Sequence, residues 1–340
     1  VKDTIKESFI KQMEALHPLA RPALDAVFAA AEVCQSIQEE LVTVTAAEKA
    51  DRSPVTVADY ASQAIVCQRL TALDGDVPIV AEETSADLRH QQEMLRQVTM
   101  FVQRLEPDAQ ADDICDWIEL GNSSSADSFW TLDPIDGTAG FLRREQYAIA
   151  LAQIEDGIVQ LGVLSCPNLP DGASNADGAR GAVFVAVKGK GAYHLSLGEG
   201  GWTRISVDGA SDAAEARFVE SVESGHADHG AHGQIAEVLG ITEASVRLDS
   251  QAKYGVVARG DASIYLRLPS PSTPDYRERI WDHAAGVLLV EEAGGRVTDV
   301  GGKVLDFGRG RRLEDNRGVI VTNGLLHEEV LKAWDSVRNS

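Results

Sequence analysis

Two carboxylates three residues apart stand in the run Asp133-Pro134-Ile135-Asp136-Gly137-Thr138. Ser128-Phe129-Trp130-Thr131-Leu132 before it is apolar, aromatic and β-branched, the pattern of a buried strand. Asp133 is therefore expected at a strand's carboxyl end, where open α/β sheets bind their ligands. Pro134 fixes φ and stiffens the turn, so Asp133 and Asp136 can aim at one point. Gly137 lets backbone N–H groups approach an anion closely. Hard oxygen ligands beside an anion-binding turn describe the chemistry of Mg²⁺ and phosphate. The plainer reading is an Asx turn capping a helix. All six residues in order arise by chance in on the order of one chain in 10⁵, which weighs against it.

Three further segments carry acids in suggestive places. Ser53 to Asp59 lead into Tyr60 to Leu73, a helical stretch without Gly or Pro, so Asp59 falls in or near its first turn. Alone, Asp59 reads equally well as a partner of the helix dipole. Pro78 to Glu83 reads as a short buried strand ending in the adjacent acids Glu82 and Glu83. Trp281-Asp282-His283 opens a helix expected over residues 282–293, closed by Gly294-Gly295.

The joint order of these segments resembles the inositol monophosphatase superfamily of Mg²⁺-dependent, lithium-sensitive phosphomonoesterases. That pattern is an Asp, then Glu-Glu, then Asp-Pro-Ile/Leu-Asp-Gly-Thr, then Trp-Asp before a small-residue helix. Here it is Asp59, Glu82-Glu83, residues 133–138 and Trp281-Asp282. Within the superfamily the chain looks most like the 3′(2′),5′-bisphosphate nucleotidases of plants and fungi. Residues 51–60, 140–143, 162–170, 249–255, 264–269 and 305–308 carry that likeness, which spans roughly residues 30–325.

The resemblance implies an α/β (α+β) fold, a layered αβαβα sandwich with the metal site between an N-terminal part (1–165) and a C-terminal part (166–340). It implies two to three Mg²⁺ ions. Glu82, Asp133 and the Ile135 carbonyl would hold one; Asp133, Asp136 and Asp282 a second; Glu82 would help place a third. Asp59 and Thr138 would form the dyad that orients and deprotonates the attacking water, and the Gly137 and Thr138 backbone would cradle the phosphate. Glu83 is not expected to be a ligand. His226, Ser250, Lys253 and Arg267 would surround the nucleotide, with Lys253 and Arg267 on its 5′-phosphate; His229 and His232 compete with His226. The implied reaction converts 3′-phosphoadenosine 5′-phosphate to AMP and phosphate, without a phosphoenzyme, and takes the sulfated analogue as well. It belongs to sulfur metabolism and would be inhibited by lithium.

Two departures from the nucleotidase pattern touch the pocket. Ala139 stands where a Lys is usual, and Ser123-Ser124-Ser125-Ala126 replaces Glu-Gly-Gly; Arg144, in place of a Gly, supplies a nearby positive charge. The alternatives are an inositol polyphosphate 1-phosphatase, a non-catalytic phosphonucleotide sensor, and a structural Ca²⁺ module whose dedicated loop pattern is missing.

Composition is that of a soluble globular protein: 340 residues, 44% hydrophobic and 25% charged. Lys plus Arg number 31 against 53 Asp plus Glu, a net charge of −22, which argues against nucleic-acid polymers and anionic membranes as partners. A polyanionic substrate must then be met by metal ions and local cations. Like charges 4 Å apart repel by about 4 kcal/mol at an effective dielectric of 20. A monomer is expected. No stretch is apolar enough to span a bilayer, and the expected compartment is intracellular: cytoplasmic, or plastid or mitochondrial if a leader preceded Val1. Cys34, Cys67, Cys115 and Cys166 lack metal spacing and are expected unpaired. The alternative is a regulatory disulfide between Cys115 and Cys166, expected in loops or at element ends.

Periodicity predicts helices over residues 5–47 with breaks at His17-Pro18 and Arg21-Pro22. A hairpin joins 147–154 to 158–164 through Glu155-Asp156-Gly157. Residues 171–180 are a polar loop; strands follow near 181–187 and 217–222, and helices near 230–239 and 324–336.

Overall fold

The computed structural model describes residues 2–40, 46–48, 54–72, 77–170, 172, 180–198, 201–222, 229–270, 273 and 275–339. Helices α1 (Lys2–Leu16) and α2 (Ala20–Glu40) open the chain, followed by strands β1 (Ala46–Glu48) and β2 (Pro54–Thr56), helix α3 (Val57–Thr71) and strand β3 (Ile79–Ala81). Helices α4 (Gln92–Val102) and α5 (Ala111–Glu119) precede β4 (Ser128–Asp136), the short α6 (Thr138–Leu142), and the strands β5 (Ala148–Glu155), β6 (Ile158–Pro170), β7 (Arg180–Val187), β8 (Gly191–Ser196) and β9 (Trp202–Ile205). The remainder is β10 (Phe218–Glu220), α7 (His229–Leu239), β11 (Val246–Arg247), α8 (Ala252–Ala258), β12 (Ile264–Arg267), α9 (Ala284–Glu292), β13 (Arg296–Thr298), β14 (Val319–Thr322) and α10 (His327–Arg338).

Strands β3 to β9 form a seven-stranded sheet in chain order, and β10 to β14 a five-stranded sheet ordered β11-β10-β12-β14-β13. Three apolar clusters mark the layers. Helices α2 and α3 pack on one face of the larger sheet; α8 and α9 lie between the two sheets; α7 and α10 cover the outer face of the smaller one. This is the expected αβαβα sandwich. The central helix α9, AAGVLLVEE, is buried from Ala284 to Val290 because a sheet covers it on each side. Gly286 is required there: a Cβ would meet the Tyr254 ring at 2.3 Å.

Several expectations are met in detail. The β5–β6 turn carries φ of 50° at Asp156 and 76° at Gly157, as a two-residue primed hairpin turn needs. Gly294, at φ 95°, ends α9, and the Gly295 N–H returns to the Val290 carbonyl at 2.9 Å.

Others need correction. Arg21-Pro22 does not interrupt the second helix; Pro22 lies in the first turn of α2, where its missing N–H has no intrahelical acceptor to lose. Residues 46–47 are in β1, paired antiparallel with β2, and not helical. The 282–293 helix begins at Ala284, after a turn over 281–283. Residues 165 and 166 both lie in β6, and the chain passes from the larger sheet to the smaller between Ile205 and Phe218, which leaves the two-part division an expectation. Cys115 lies within α5 and Cys166 within β6, and all four thiols are free and buried. Cys115 packs in the α2–α3 layer and Cys166 in the central layer, so they do not pair. Most of the 171–180 loop lies outside the described residues. Among the described residues, no helix is long and apolar enough to cross a membrane.

Candidate active site

β3 runs parallel to β4, with Ala81 opposite Leu132, so Glu82, just past the end of β3, and Asp133, inside β4, follow neighbouring residues of the two strands. The Glu82 N–H donates to the Leu132 carbonyl at 3.2 Å and keeps them in step. The motif that follows is not a turn after the strand: β4 continues through Asp136, paired with β5, and its register shifts between Asp133 and Asp136. Such a bulge tolerates Pro134, which has no N–H for the ladder, and bends the strand so that Asp136 is re-aimed. Side chains complete the bulge's bonding. Ser62 Oγ donates to the Pro134 carbonyl at 2.8 Å, and the Ile135 N–H donates to Asp133 Oδ1 at 3.2 Å.

Gly137 then takes φ 88°, and a Cβ there would stand 2.9 Å from Ser250 Cβ. Glycine is needed for both reasons. It starts α6, which brings Thr138 back over the bulge. Thr138 Oγ1 lies 3.2 Å from Asp59 Oδ1 and 3.3 Å from the Ile135 carbonyl.

Asp59 is fully buried at the third position of α3. Its Oδ2 accepts the Thr56 N–H at 2.8 Å and the Thr56 hydroxyl at 2.6 Å, while Thr56 Oγ1 accepts the Ala58 N–H at 3.1 Å. This is a capping box. The capping and catalytic readings of Asp59 are thus compatible: one carboxylate oxygen holds the helix end and the other faces Thr138.

The far wall comes from the segment before α8. Ser250 adopts φ 67°, and its Oγ accepts the Ala252 N–H at 3.1 Å. The next N–H, of Gln251, donates to Asp136 Oδ2 at 2.6 Å, and Gln251 Nε2 donates to the Trp281 carbonyl at 2.9 Å. One residue therefore joins Asp136 to the segment bearing Asp282. Lys253 is buried on α8; its Nζ lies 5.3 Å from the centre of the Tyr265 ring and a long 3.5 Å from the Leu248 carbonyl.

Arg267, at the end of β12, pairs through Nε with Glu278 at 2.8 Å and lies 3.8 Å from Asp282. Glu278 Oε2 is also 3.4 Å from His283 Nε2, and the Tyr254 hydroxyl is 2.7 Å from His283 Nδ1. A carboxylate only accepts, so Nε2 carries the imidazole proton and the Tyr254 hydroxyl donates to Nδ1. Burial lowers the His283 pKa, consistent with a neutral ring.

The electrostatics define a cation-seeking pocket. Burial raises the Asp136 carboxyl above its ordinary range, offset by Lys253 and Arg267 and reinforced by Glu82. Asp282 is raised further, by burial first and then by Asp136, Glu82 and Glu278 against the pull of Arg267. Glu82, Asp136 and Asp282 thus act on one another, with Asp133 buried beside them. Burial also pushes Lys253 down to about 8, against the attraction of Asp136. Burial would push Glu278 up, but Arg267 and His283 outweigh it and hold the carboxyl at about 2.

Glu82, Asp133, Asp136 and Asp282 are hard oxygen donors whose mutual repulsion a hard divalent cation would relieve, so the donor set fits Mg²⁺. Glu278, Asp282 and His283 also offer ligand atoms within 4.8 Å of one another. Glu278 is paired to Arg267 and both His283 nitrogens are engaged, while Arg267 also reaches Asp282 at 3.8 Å.

Of the residues expected in the site, Asp59, Glu82, Asp133, Ile135, Asp136, Gly137, Thr138, Ser250, Lys253, Arg267 and Asp282 are gathered by these contacts. His226 lies outside the described residues, as does the His229 side chain. His232, on α7, pairs with Glu220 at 2.9 Å. Arg267 is engaged by Glu278, a partner that was not foreseen. Sequence reasoning also missed Thr56, Gln63 and Gln251. Gln63 bonds both the N–H (3.0 Å) and the carbonyl (2.7 Å) of Glu83, fixing the backbone after Glu82. The capping pattern around Thr56 was a usable signal; the Gln contacts join distant segments and had none.

The model of the inositol monophosphatase family matches residues 15–338. A 3′(2′),5′-bisphosphate nucleotidase of Dictyostelium discoideum is 41% identical over 325 residues, covering 94% of this chain and 96% of its own. One from Oryza sativa is 45% identical over 332 residues, covering 92% of each. Among solved structures, an IMPase from Thermotoga maritima superposes with a TM-score of 0.63 at 24% identity, over 93% of this chain and 98% of its own, a likeness of fold. With the family model matched over nearly its whole length and a relative 41% identical over 94% of it, the chain belongs to the inositol monophosphatase family.

Proposed function

We propose that this protein is a Mg²⁺-dependent 3′(2′),5′-bisphosphate nucleotidase that hydrolyses 3′-phosphoadenosine 5′-phosphate to AMP and phosphate, and accepts the sulfated analogue. The observation that carries hydrolysis is the 3.2 Å approach of Thr138 Oγ1 to Asp59 Oδ1 beside the coupled carboxylates. The nucleotide substrate is supported by relatives of that name at 41% and 45% identity.

Glu82, Asp133, the Ile135 carbonyl, Asp136 and Asp282 would hold two to three Mg²⁺ ions. When bound, these supply positive charge to the phosphate and the leaving oxygen and ease deprotonation of water. The chain does the rest. The Thr138 hydroxyl donates to Asp59 Oδ1, leaving its oxygen lone pairs to orient a water. The proton that water loses passes through Thr138 to Asp59, general-base catalysis by a carboxylate already in place. The P–O3′ bond breaks as the new P–O bond forms, and the leaving oxygen takes a proton from solvent. Gly137 and Thr138 N–H groups bind the transferred phosphate, and Lys253 is the cation best suited to the 5′-phosphate. Arg267 acts beside it while anchored to Glu278.

The test is hydrolysis of 3′-phosphoadenosine 5′-phosphate, AMP and an inositol bisphosphate, with products separated by chromatography. Preference for the first, yielding AMP, supports the reading. Turnover of the inositol substrate alone would replace it with an inositol polyphosphate phosphatase, and no turnover of any would leave a binding protein.

A further inference from the structure

Arg311 stands 230 residues along the chain from Ala81, yet it touches the segments that carry two of the expected ligands. Its Nη2 donates to the carbonyl of Ala81, the residue before Glu82. Its guanidinium covers the ring of Trp281, the residue before Asp282, 4.8 Å from the centroid. The backbone seats it there. The Ile280 N–H donates to the Arg311 carbonyl at 3.2 Å, and the Leu313 N–H to the Glu278 carbonyl at 2.9 Å. Residues 311–313 therefore run as an antiparallel rung against the approach to Asp282, with Arg279 bridged to Arg312.

Two features separate this arginine from an ordinary packing residue. Nη1 is buried with no hydrogen-bond partner among the described residues, an arrangement that costs stability. The Glu82 carboxylate is also near enough to act on the guanidinium, partly offsetting the effects of burial and of Arg279. The cation thus stands behind the carboxylate pocket, joining its two sides through one planar group. A lysine cannot donate to the Ala81 carbonyl and cover the Trp281 face with a plane at the same time.

We infer that Arg311 is a positioning residue that fixes Glu82 against Asp282 and so sets the affinity of the site for its divalent cation. The inference rests on the proposed Mg²⁺-dependent reading. It concerns the metal site's geometry and assigns Arg311 no contact with substrate.

The experiment measures Mg²⁺ binding to the full chain by titration calorimetry, for the wild type, Arg311→Lys and Arg311→Met. Thermal unfolding and the substrate KM at saturating Mg²⁺ are measured alongside. Residues that orient metal ligands are worth about 10- to 100-fold in metal affinity. Arg311→Lys should fold with a melting temperature near the wild type's, weaken Mg²⁺ binding by about tenfold or more, and leave the substrate KM within about twofold. Arg311→Met should weaken binding at least as much. Wild-type Mg²⁺ affinity in a folded Arg311→Lys overturns the inference. So does failure of both variants to fold, which would make Arg311 a residue of the fold alone. Absence of any Mg²⁺ binding by the wild type would instead overturn the metal-dependent reading on which the inference stands.

Discussion

The backbone N–H of Gln251 lies 2.6 Å from Asp136 Oδ2, although 115 residues separate them. The same residue's side-chain amide reaches the Trp281 carbonyl, so it spans two of the acidic segments. Gln251→Met keeps the first bond, which belongs to the backbone, and removes the second. A buried carbonyl left without a donor costs about 1–3 kcal/mol. Urea unfolding should show that loss, and kcat/KM should fall as Asp282 loses its register with Asp136. Unchanged stability and turnover would show that the bridge is incidental.

Asp59 and Thr138 form the proposed proton path. Asp59→Asn retains the size of the side chain and an acceptor for Thr56, so the melting temperature should move little. The rate constant kcat should fall by about 10²- to 10⁴-fold, the usual worth of a general base. Asp59→Ala should in addition cost about 1 kcal/mol through loss of the α3 cap. An Asp59→Asn enzyme with near-normal kcat would remove Asp59 from catalysis.

The acidic residues were legible because each lies in or beside a strand or helix that local pattern exposes, and because their order along the chain is distinctive. The β5–β6 turn was legible from Asp156-Gly157 for the same local reason. The bulge that carries β4 through Asp136 was not, since Pro134 reads as a turn until a partner strand is known. Nor was the commitment of Arg267 to Glu278, or the approach of Gln251 and Arg311 to the acidic segments. These depend on contacts between residues far apart in sequence, and a polar side chain gives no sign of its partner. Pro22 was misread as a break because its place in the first turn of α2 follows from where that helix begins.

Lys253 is a buried cation held down to about 8 by desolvation, with Asp136 as its main electrostatic support. Burial of a charge without a close ion pair opposes folding. Lys253→Met should therefore stabilise the protein or leave its stability unchanged, measured by thermal unfolding. It should also raise KM for 3′-phosphoadenosine 5′-phosphate by about tenfold or more, a contact to a charged group being worth about 1.5–3 kcal/mol. A substrate that lacks the 5′-phosphate should lose little. An equal effect on both substrates would take Lys253 off the 5′-phosphate.

His327 gives the fold a pH limit remote from the site. It is fully buried at the start of α10, with Thr298 Oγ1 2.9 Å from Nε2 and Thr322 Oγ1 3.0 Å from Nδ1. The Thr298 hydroxyl donates to the Asp299 carbonyl at 2.8 Å, so Nε2 donates to Thr298 and Nδ1 must accept from Thr322. Burial, aided by Arg296, holds the imidazole down to about 4 from its ordinary 6.5. Between those values the unfolded chain binds the proton and the folded chain does not. Stability from this residue is therefore full above about pH 6.5 and lost as pH falls towards about 4, by about 2–3 kcal/mol with solvent screening included. The difference in unfolding free energy between wild type and His327→Gln should shrink over that interval. A difference independent of pH would contradict the assignment.

Phosphate release from 3′-phosphoadenosine 5′-phosphate, followed with Mg²⁺, with chelator, and with Mg²⁺ plus lithium, tests the metal-dependent nucleotidase reading. Release should require Mg²⁺, be suppressed by lithium and be lost in Asp136→Ala and Asp282→Ala proteins that remain folded. Release unaffected by chelator, or retained in either folded variant, would contradict that reading.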